Sequence, residues 1–136
     1  MIKISLIIPC YNESANLPLL INRCKDLFNI ESSIEIVIVD NGSKDDTALI
    51  LNKLTKNLNY FTHISIKNNE GHGHGILAGL KAANGEILSW THADLQTDLL
   101  DVLKGLSIFQ NSNNPELLFV KGQRKGRPIL DVFFTV

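Results

Sequence analysis

Residues 34–40 read Ile-Glu-Ile-Val-Ile-Val-Asp, the clearest strand in the chain, rich in β-branched residues and ended by an acid. Ile2 to Pro9 is a second short apolar run, closed by a proline, with the look of a buried parallel strand. Between the two, Leu17, Leu20, Ile21, Cys24, Leu27 and Phe28 recur at helical spacing and mark one apolar face. Asn16, or Ser14 before it, is placed to cap that helix. A strand, a helix and a strand in this order define a βαβ unit, and the pattern repeats downstream.

Asn41-Gly42-Ser43 follows the second strand as a turn, and Ser43 with Asp46 has capping-box spacing. Ala48, Leu51, Leu54 and Leu58 supply the buried face of a second helix. Phe61 to Ile66 reads as a third strand, and Asn68 to Gly75 as a glycine-rich loop. Ile76, Leu77, Leu80 and Ala83 form a third helix that Gly85 would stop. Glu86 to Thr91 is a fourth strand, Asp98 to Phe109 a fourth helix and Leu117 to Lys121 a fifth strand. This alternation predicts an α/β fold with a doubly wound, mostly parallel sheet.

The chain has 136 residues, 44% hydrophobic and 20% charged, the size and balance of one globular domain. That excludes a disordered tail, a collagen-like repeat and a coiled-coil rod. No apolar run reaches the roughly 18 to 20 residues of a membrane span. Polar Asn12, Glu13 and Asn16 follow the first apolar run at once, which does not fit a secretory signal. Cys10 and Cys24 make no disulfide framework and read as reduced thiols of a cytosolic protein. The last residues, Phe133-Phe134-Thr135-Val136, lie in mid apolar segment. We therefore expect an exposed apolar patch there, covered by self-association.

Charge is balanced overall but uneven along the chain. Residues 1–120 hold 9 Lys/Arg against 13 Asp/Glu, and residues 121–136 hold 4 against 1. The basic excess is the run Lys121-Gly122-Gln123-Arg124-Lys125-Gly126-Arg127, a patch suited to phosphate or a solvated loop.

In open α/β sheets, ligands bind at the carboxyl ends of the strands. Three of those ends are polar here: Pro9-Cys10-Tyr11-Asn12-Glu13, Asp40-Asn41-Gly42-Ser43 and His92-Ala93-Asp94-Leu95-Gln96. Tyr11 can pack on a base or ribose, and Asp40 with Asn41 can bond a nucleobase edge. Asp94 with Gln96 can hold a divalent cation through oxygen, the cation sitting on a diphosphate.

These strings, with Val37-Ile38-Val39 leading into the second and Asp45-Asp46-Thr47 after it, resemble in order and spacing the successive motifs of family 2 glycosyltransferases. Ala93-Asp94-Leu95-Gln96 is most similar to the dolichol-phosphate mannose synthase-like branch. The resemblance implies the Rossmann-like nucleotide-diphospho-sugar transferase fold, incomplete at the C-terminus, with residues 1–136 as its N-terminal nucleotide-sugar-binding part. It implies transfer of a sugar from a nucleotide-diphospho-sugar with inversion at the anomeric carbon. Pro9, Tyr11, Glu13, Asp40, Asn41, Gly71, Gly73 and Ala93 would meet the donor. Asp94 would be the catalytic aspartate and, with Gln96 and His92, would bind Mg2+ or Mn2+. The leaving nucleoside diphosphate gains negative charge as the glycosidic bond breaks, and a cation on its oxygens stabilises that charge.

Two departures from the family pattern stand out. The first aspartate of the usual Asp-x-Asp is His92, either a metal or phosphate ligand or a polar strand-end residue, and a nitrogen ligand favours Mn2+. Asn41 replaces a frequent second aspartate and still offers donor and acceptor to a base. After Asp94 there is no convincing carboxylate base, because Asp98 and Asp101 sit at a helix start, where capping is simpler. Either the base lies beyond Val136 or the acceptor is a polyprenyl phosphate, already an anion, rather than a saccharide hydroxyl. Arg124 and Arg127 would then suit phosphates of donor or acceptor. The reading places the protein in the cytoplasm or at the cytoplasmic face of a membrane, and gives it no nucleic-acid partner.

Two alternatives stand beside this one. A non-catalytic nucleotide-binding module fits His92 and the missing base. A dinucleotide-binding oxidoreductase is suggested by Gly73-His74-Gly75-Ile76-Leu77-Ala78, with Asp94 about 20 residues on, but these glycines do not follow the first strand. His72 and His74 read as solvent-exposed loop residues, His63 as structural, Trp90 as core, Cys10 as a small buried residue and Lys81 as part of a solvated helix face.

Overall fold

The computed structural model describes residues 1 and 3–123. Arg124, Arg127, Phe133, Phe134 and Val136, and the expectations attached to them, lie outside the described residues.

Four strands, β1 (Ile4–Cys10), β2 (Ile34–Asn41), β3 (Phe61–Ile66) and β4 (Ile87–Trp90), form one parallel sheet in the order β3-β2-β1-β4. The helices between and after them are α1 (Leu17–Ile30), α2 (Thr47–Thr55), α3 (His72–Ala82) and α4 (Asp101–Gln110). β1 and β2 occupy the centre, and every residue of both is buried. Alternate side chains of a strand face opposite sides of the sheet, so each central strand feeds two cores. Ile4, Leu6, Ile8 and Cys10 with Ile34, Ile36 and Ile38 pack under α1, Leu51 of α2 and Leu106 of α4. Ile7, Val37 and Val39 pack against Ala78 and Leu80 of α3 on the other face. The sheet is therefore covered on both sides, as doubly wound folds require.

α3 lies close to the sheet because its inward positions are glycines. A Cβ on Gly79 would stand 2.4 Å from Cγ2 of Ile7, and one on Gly75 would stand 3.1 Å from Cβ of Pro9 and from Nδ2 of Asn41. Gly85, expected to stop α3, does other work. The helix ends at Ala82, and Gly85 sits against β1, where a Cβ would meet the Ser5 backbone nitrogen at 2.6 Å.

Several sequence expectations are corrected. Residues 68–75 are not all loop, since α3 begins at His72, and Leu77 lies on its exposed face. Leu58 follows the end of α2. Ser43 and Asp46 form no capping box: Asp46 occupies the N-cap of α2 without a side-chain bond, and Ser43 bonds to other partners described below. Asn16 is the N-cap residue of α1, yet its amide donates to Glu13 Oε2 at 2.7 Å instead of capping. The fifth strand is absent. Pro115–Leu117 is a single 3-10 turn, and 118–123 pair with no strand. Among the described residues, no helix is long and apolar enough to cross a membrane.

Candidate functional site

The carboxyl ends of β1, β2 and β4 lie side by side along one edge of the sheet. Two loops leave this edge interlocked. The backbone N–H groups of Asn12, Glu13 and Ser14 donate to Ser43 Oγ (3.0 Å), Thr47 Oγ1 (3.0 Å) and Asp45 Oδ2 (3.2 Å). Asn12 Oδ1 accepts from Lys44 N–H at 2.8 Å in return. Asn12 adopts φ 52°, a left-handed conformation in which asparagine is less strained than most residues. Bonds from the Thr47 hydroxyl, with further ones from Ser14 and the Thr47 backbone, outweigh burial and hold the Asp45 carboxyl at about 2. In the sequence Asp45 and Thr47 stand only as motif letters. Their part in fixing the loop that carries Tyr11 is a long-range fact with no local signal.

A cleft of about 310 Å³ opens beside these loops, lined by Tyr11, Gly42, Lys44, Lys67, Asn68 and Asn69. A second hollow of about 220 Å³ adjoins it through Tyr11 and Asn69 and is lined also by Pro9, Cys10, Asn41 and His72. Tyr11 is 42% exposed, free to present its ring. Asn41 is buried; its Nδ2 donates to the Gly71 carbonyl at 2.9 Å, and its Oδ1 has no partner. Gly71 reaches that contact at φ 101°, a conformation open to glycine. Gly73 lies in α3 with open space around it.

Asp40 is buried, and its Oδ1 accepts the Ser43 N–H at 3.0 Å, so it holds the β2–α2 turn. Glu13 also serves locally: its carbonyl accepts from Asn16 and Leu17 at the start of α1. Burial first, then Glu13, Asp40 and Cys24, push the Cys10 thiol far up, and burial pushes Cys24 up to about 12. Both cysteines are free and buried, inert thiols as expected.

Past β4, Ala93 is buried, while His92, Asp94 and Gln96 are exposed. Asp94 Oδ1 accepts the Gln96 N–H at 3.1 Å across Leu95, which takes φ 63°. Among the described residues, no three His, Cys, Asp or Glu side chains converge as a ready metal centre. His72 and His74 are not loop residues, as the sequence suggested. Both lie in the first turn of α3, His74 within 3.5 Å of Glu70, and His72 stacked on His92 with ring centroids 4.9 Å apart and planes 15° from parallel. Burial and His92 hold the His72 imidazole below its usual range, with Asp94 pulling the other way. Trp90 is 46% exposed, not core, and tilts against Phe119. His63 bonds Asn52 and Lys81 is exposed; the expected capping at Asp98 and Asp101 does not occur, since the α4 N-cap is Leu100 without a side-chain bond, Asp98 Oδ1 accepts the Leu100 N–H in the turn before the helix, and Asp101 Oδ1 pairs with Lys104 Nζ at 2.6 Å. The G-x-G-x-x-A spacing is explained by the seating of Gly75 on the sheet and follows the third strand, so it does not make a dinucleotide site.

Comparison with known proteins agrees with the fold and shows the family. The undecaprenyl-phosphate 4-deoxy-4-formamido-L-arabinose transferase of Photorhabdus laumondii subsp. laumondii is 37% identical over 99 residues, covering 69% of this chain and 30% of that protein. The protein of the same name from Proteus mirabilis is 35% identical over 96 residues, covering 69% and 29%. The chain thus spans about a third or less of these relatives' length. Among solved structures, the mannosyltransferase PcManGT from Pyrobaculum calidifontis, in complex with GDP-Man and Mn2+, superposes with a TM-score of 0.70 at 22% identity, over 82% of this chain and 33% of that one. S. aureus TarS 1-349 superposes with a TM-score of 0.66 at 28% identity, over 79% and 32%. Residues 5–114 match the family model described as Glycosyl transferase family 2. The chain, by that match and by these relatives, belongs to glycosyl transferase family 2.

Proposed function

We propose that residues 1–136 form the donor-binding part of an inverting glycosyltransferase that moves a sugar from a nucleotide-diphospho-sugar to a polyprenyl phosphate. The observation that carries this reading is the union, on one sheet edge, of the Tyr11–Asn41–His72 hollow with the exposed Asp94 loop. The relatives' name, which gives undecaprenyl phosphate as their acceptor, supports the choice of lipid.

In this reading Tyr11 packs on the nucleoside, and the unpartnered Asn41 Oδ1 accepts from it, while Asn41 Nδ2 stays on Gly71. Pro9 and Ala93 shape the wall, and Asp40 and Glu13 hold the loops that present it. A carboxylate at Asp94, with Gln96 and His92 beside it, offers a partial set of oxygen and nitrogen donors. Among the described residues no three His, Cys, Asp or Glu side chains converge, so a cation here would take most of its ligands from the diphosphate and water. When bound, Mg2+ or Mn2+ stabilises the charge that develops on the leaving diphosphate. An anionic phosphate acceptor attacks the anomeric carbon without needing a proton removed. Because a polyprenyl phosphate resides in a membrane, the donor site works at a membrane surface, with any further anchoring supplied outside residues 1–136.

Calorimetric titration with UDP, GDP and CDP, with and without Mn2+, tests the reading. We expect metal-dependent binding of at least one nucleotide. No binding of any of the three at millimolar concentration with metal present would overturn it.

A further inference from the structure

β4 is an edge strand, and its outer side pairs with no strand among the described residues. Its register sets Leu88 beside Ser5 and Trp90 beside Ile7, so both point to the α3 side of the sheet, while Ile87 packs into the core on the other side. α3 is seated on β1 and β2 and leaves them open: Leu88 and Trp90 are each 46% exposed. Past the 3-10 turn, Phe119 comes to Trp90, ring centroids 6.3 Å apart, and both Phe119 and Leu117 stand exposed. The aromatic pair thus lies at the carboxyl end of β4, where Trp90 is four residues ahead of Asp94. Charge accompanies it. Lys121 is exposed, and from Pro115 to Arg127 the sequence holds four basic residues, Lys121, Arg124, Lys125 and Arg127, against one acid, Glu116. Glu86, the carboxylate next to β4, precedes the strand at the end away from Trp90.

We propose that Leu88, Trp90, Leu117 and Phe119, with Lys121, form a docking face for the surface of an anionic lipid bilayer, which sets the Asp94 loop beside the headgroups. The proposal rests on the donor-site reading above and adds to it the surface that meets the acceptor's membrane. Tryptophan sits at headgroup level in a bilayer, its ring toward the acyl chains and its N–H wet. Flanking basic residues add attraction to anionic lipid, and residues 118–127 carry basic charges only. This chemistry fits a lipid surface better than a second copy of the chain. Four part-exposed side chains fall well short of the roughly 800 Å² per partner of a stable protein interface. A two-fold contact would also set the same basic patch of both copies together. With the face on the bilayer, a phosphate at headgroup depth arrives beside His92 and Asp94.

Trp90 is the single tryptophan of the chain, so tryptophan fluorescence reports on this face alone. On phosphatidylcholine vesicles containing about one-third phosphatidylglycerol, its emission should shift to the blue and be quenched by lipids brominated on the acyl chains. Co-sedimentation should show binding at least about tenfold weaker to pure phosphatidylcholine vesicles. Raising NaCl from about 0.05 M to about 0.5 M should weaken binding to the anionic vesicles. Leu117→Ser combined with Phe119→Ser changes two exposed side chains, so the fold is kept while vesicle binding should fall at least about tenfold. No binding to anionic vesicles, binding that leaves Trp90 unquenched, or wild-type binding by the double variant would overturn the proposal. A blue shift that grows with protein concentration without vesicles, with a dimer in analytical ultracentrifugation, would assign the face to a second copy and overturn it as well. Nucleotide titration of the same samples separates the two claims. Nucleotide binding without vesicle binding defeats only the docking face, and vesicle binding without nucleotide binding defeats only the donor-site reading.

Discussion

Gly79 places the α3 backbone so near β1 that a single methyl at this position would stand 2.4 Å from Cγ2 of Ile7, a fully buried side chain. Contact this close cannot be relieved by a rotamer change alone, because Ile7 is packed between Val37 and Val39 in the same core. The helix must lift. Gly79→Ala should therefore destabilise the chain by about 1–3 kcal/mol despite the better helix propensity of alanine. The check is the urea midpoint. A variant as stable as wild type would mean that α3 sits further from the sheet than described.

At the other end of α3, Glu35 lies buried in β2 opposite Ser5 of β1. Its carboxylate accepts from the Ser5 hydroxyl, the Asn84 backbone N–H and, at 3.2 Å, the Asn84 side-chain amide, while Ser5 Oγ accepts from Gly85 N–H at 2.8 Å. Burial pushes the carboxyl up, but these donors outweigh it and leave Glu35 below its ordinary value. A depressed folded-state pKa stabilises the fold above the unfolded value of 4.5, and the gain fades as pH falls through the folded value. Glu35→Gln puts an amide donor among donors, so it should cost about 1–3 kcal/mol at pH 7. The gap between wild type and variant should narrow by pH 3. Urea midpoints at the two pH values measure this, and a gap independent of pH would refute the assignment.

Thr47 ties the two loops of the candidate site. It is fully buried, its Oγ1 accepts from Glu13 N–H at 3.0 Å, and its hydroxyl helps hold Asp45 low. Thr47→Val keeps the shape but leaves the Glu13 amide without its acceptor, at a cost of about 1–2 kcal/mol. Faster hydrogen exchange should appear at Glu13 and its neighbours in the Tyr11 loop and not in β3. Unchanged exchange at Glu13 would show that the loops stand independently.

What was legible in the sequence follows the physics. β2 was readable because a β-branched, apolar run marks a strand buried on both faces; β3 is an edge strand and only partly buried, yet the ends of both were placed within a residue. The polar strand ends of β1, β2 and β4 were readable because the sheet topology follows from the alternation of elements. The start of α3 was not, since His72-Gly73-His74-Gly75 is a poor helix former, and only its seating against Pro9, Asn41 and Ile7 makes it helical. The expected strand at 117–121 failed for the converse reason. Its apolar letters suit a strand, but a strand forms only with a partner, and here Leu117 and Phe119 remain 82% and 72% exposed. The His72–His92 stack joins elements twenty residues apart and leaves no periodic trace.

Asp94 gives the sharpest test of chemistry against structure. Its Oδ1 closes a short turn onto Gln96 N–H, with Leu95 at φ 63°, and an asparagine oxygen accepts that bond equally well. Asp94→Asn should therefore leave the turn, and with it the urea midpoint, unchanged to within about 0.5 kcal/mol, the usual range for an exposed substitution. What it removes is the negative charge that a divalent cation needs beside His92 and Gln96. Nucleotide affinity measured in Mn2+ should fall at least about tenfold, to the level seen without metal, while the metal-free affinity stays where it was. If the Mn2+ enhancement survives in the variant, Asp94 is a turn residue and the cation is held elsewhere. If stability collapses instead, the carboxylate is structural.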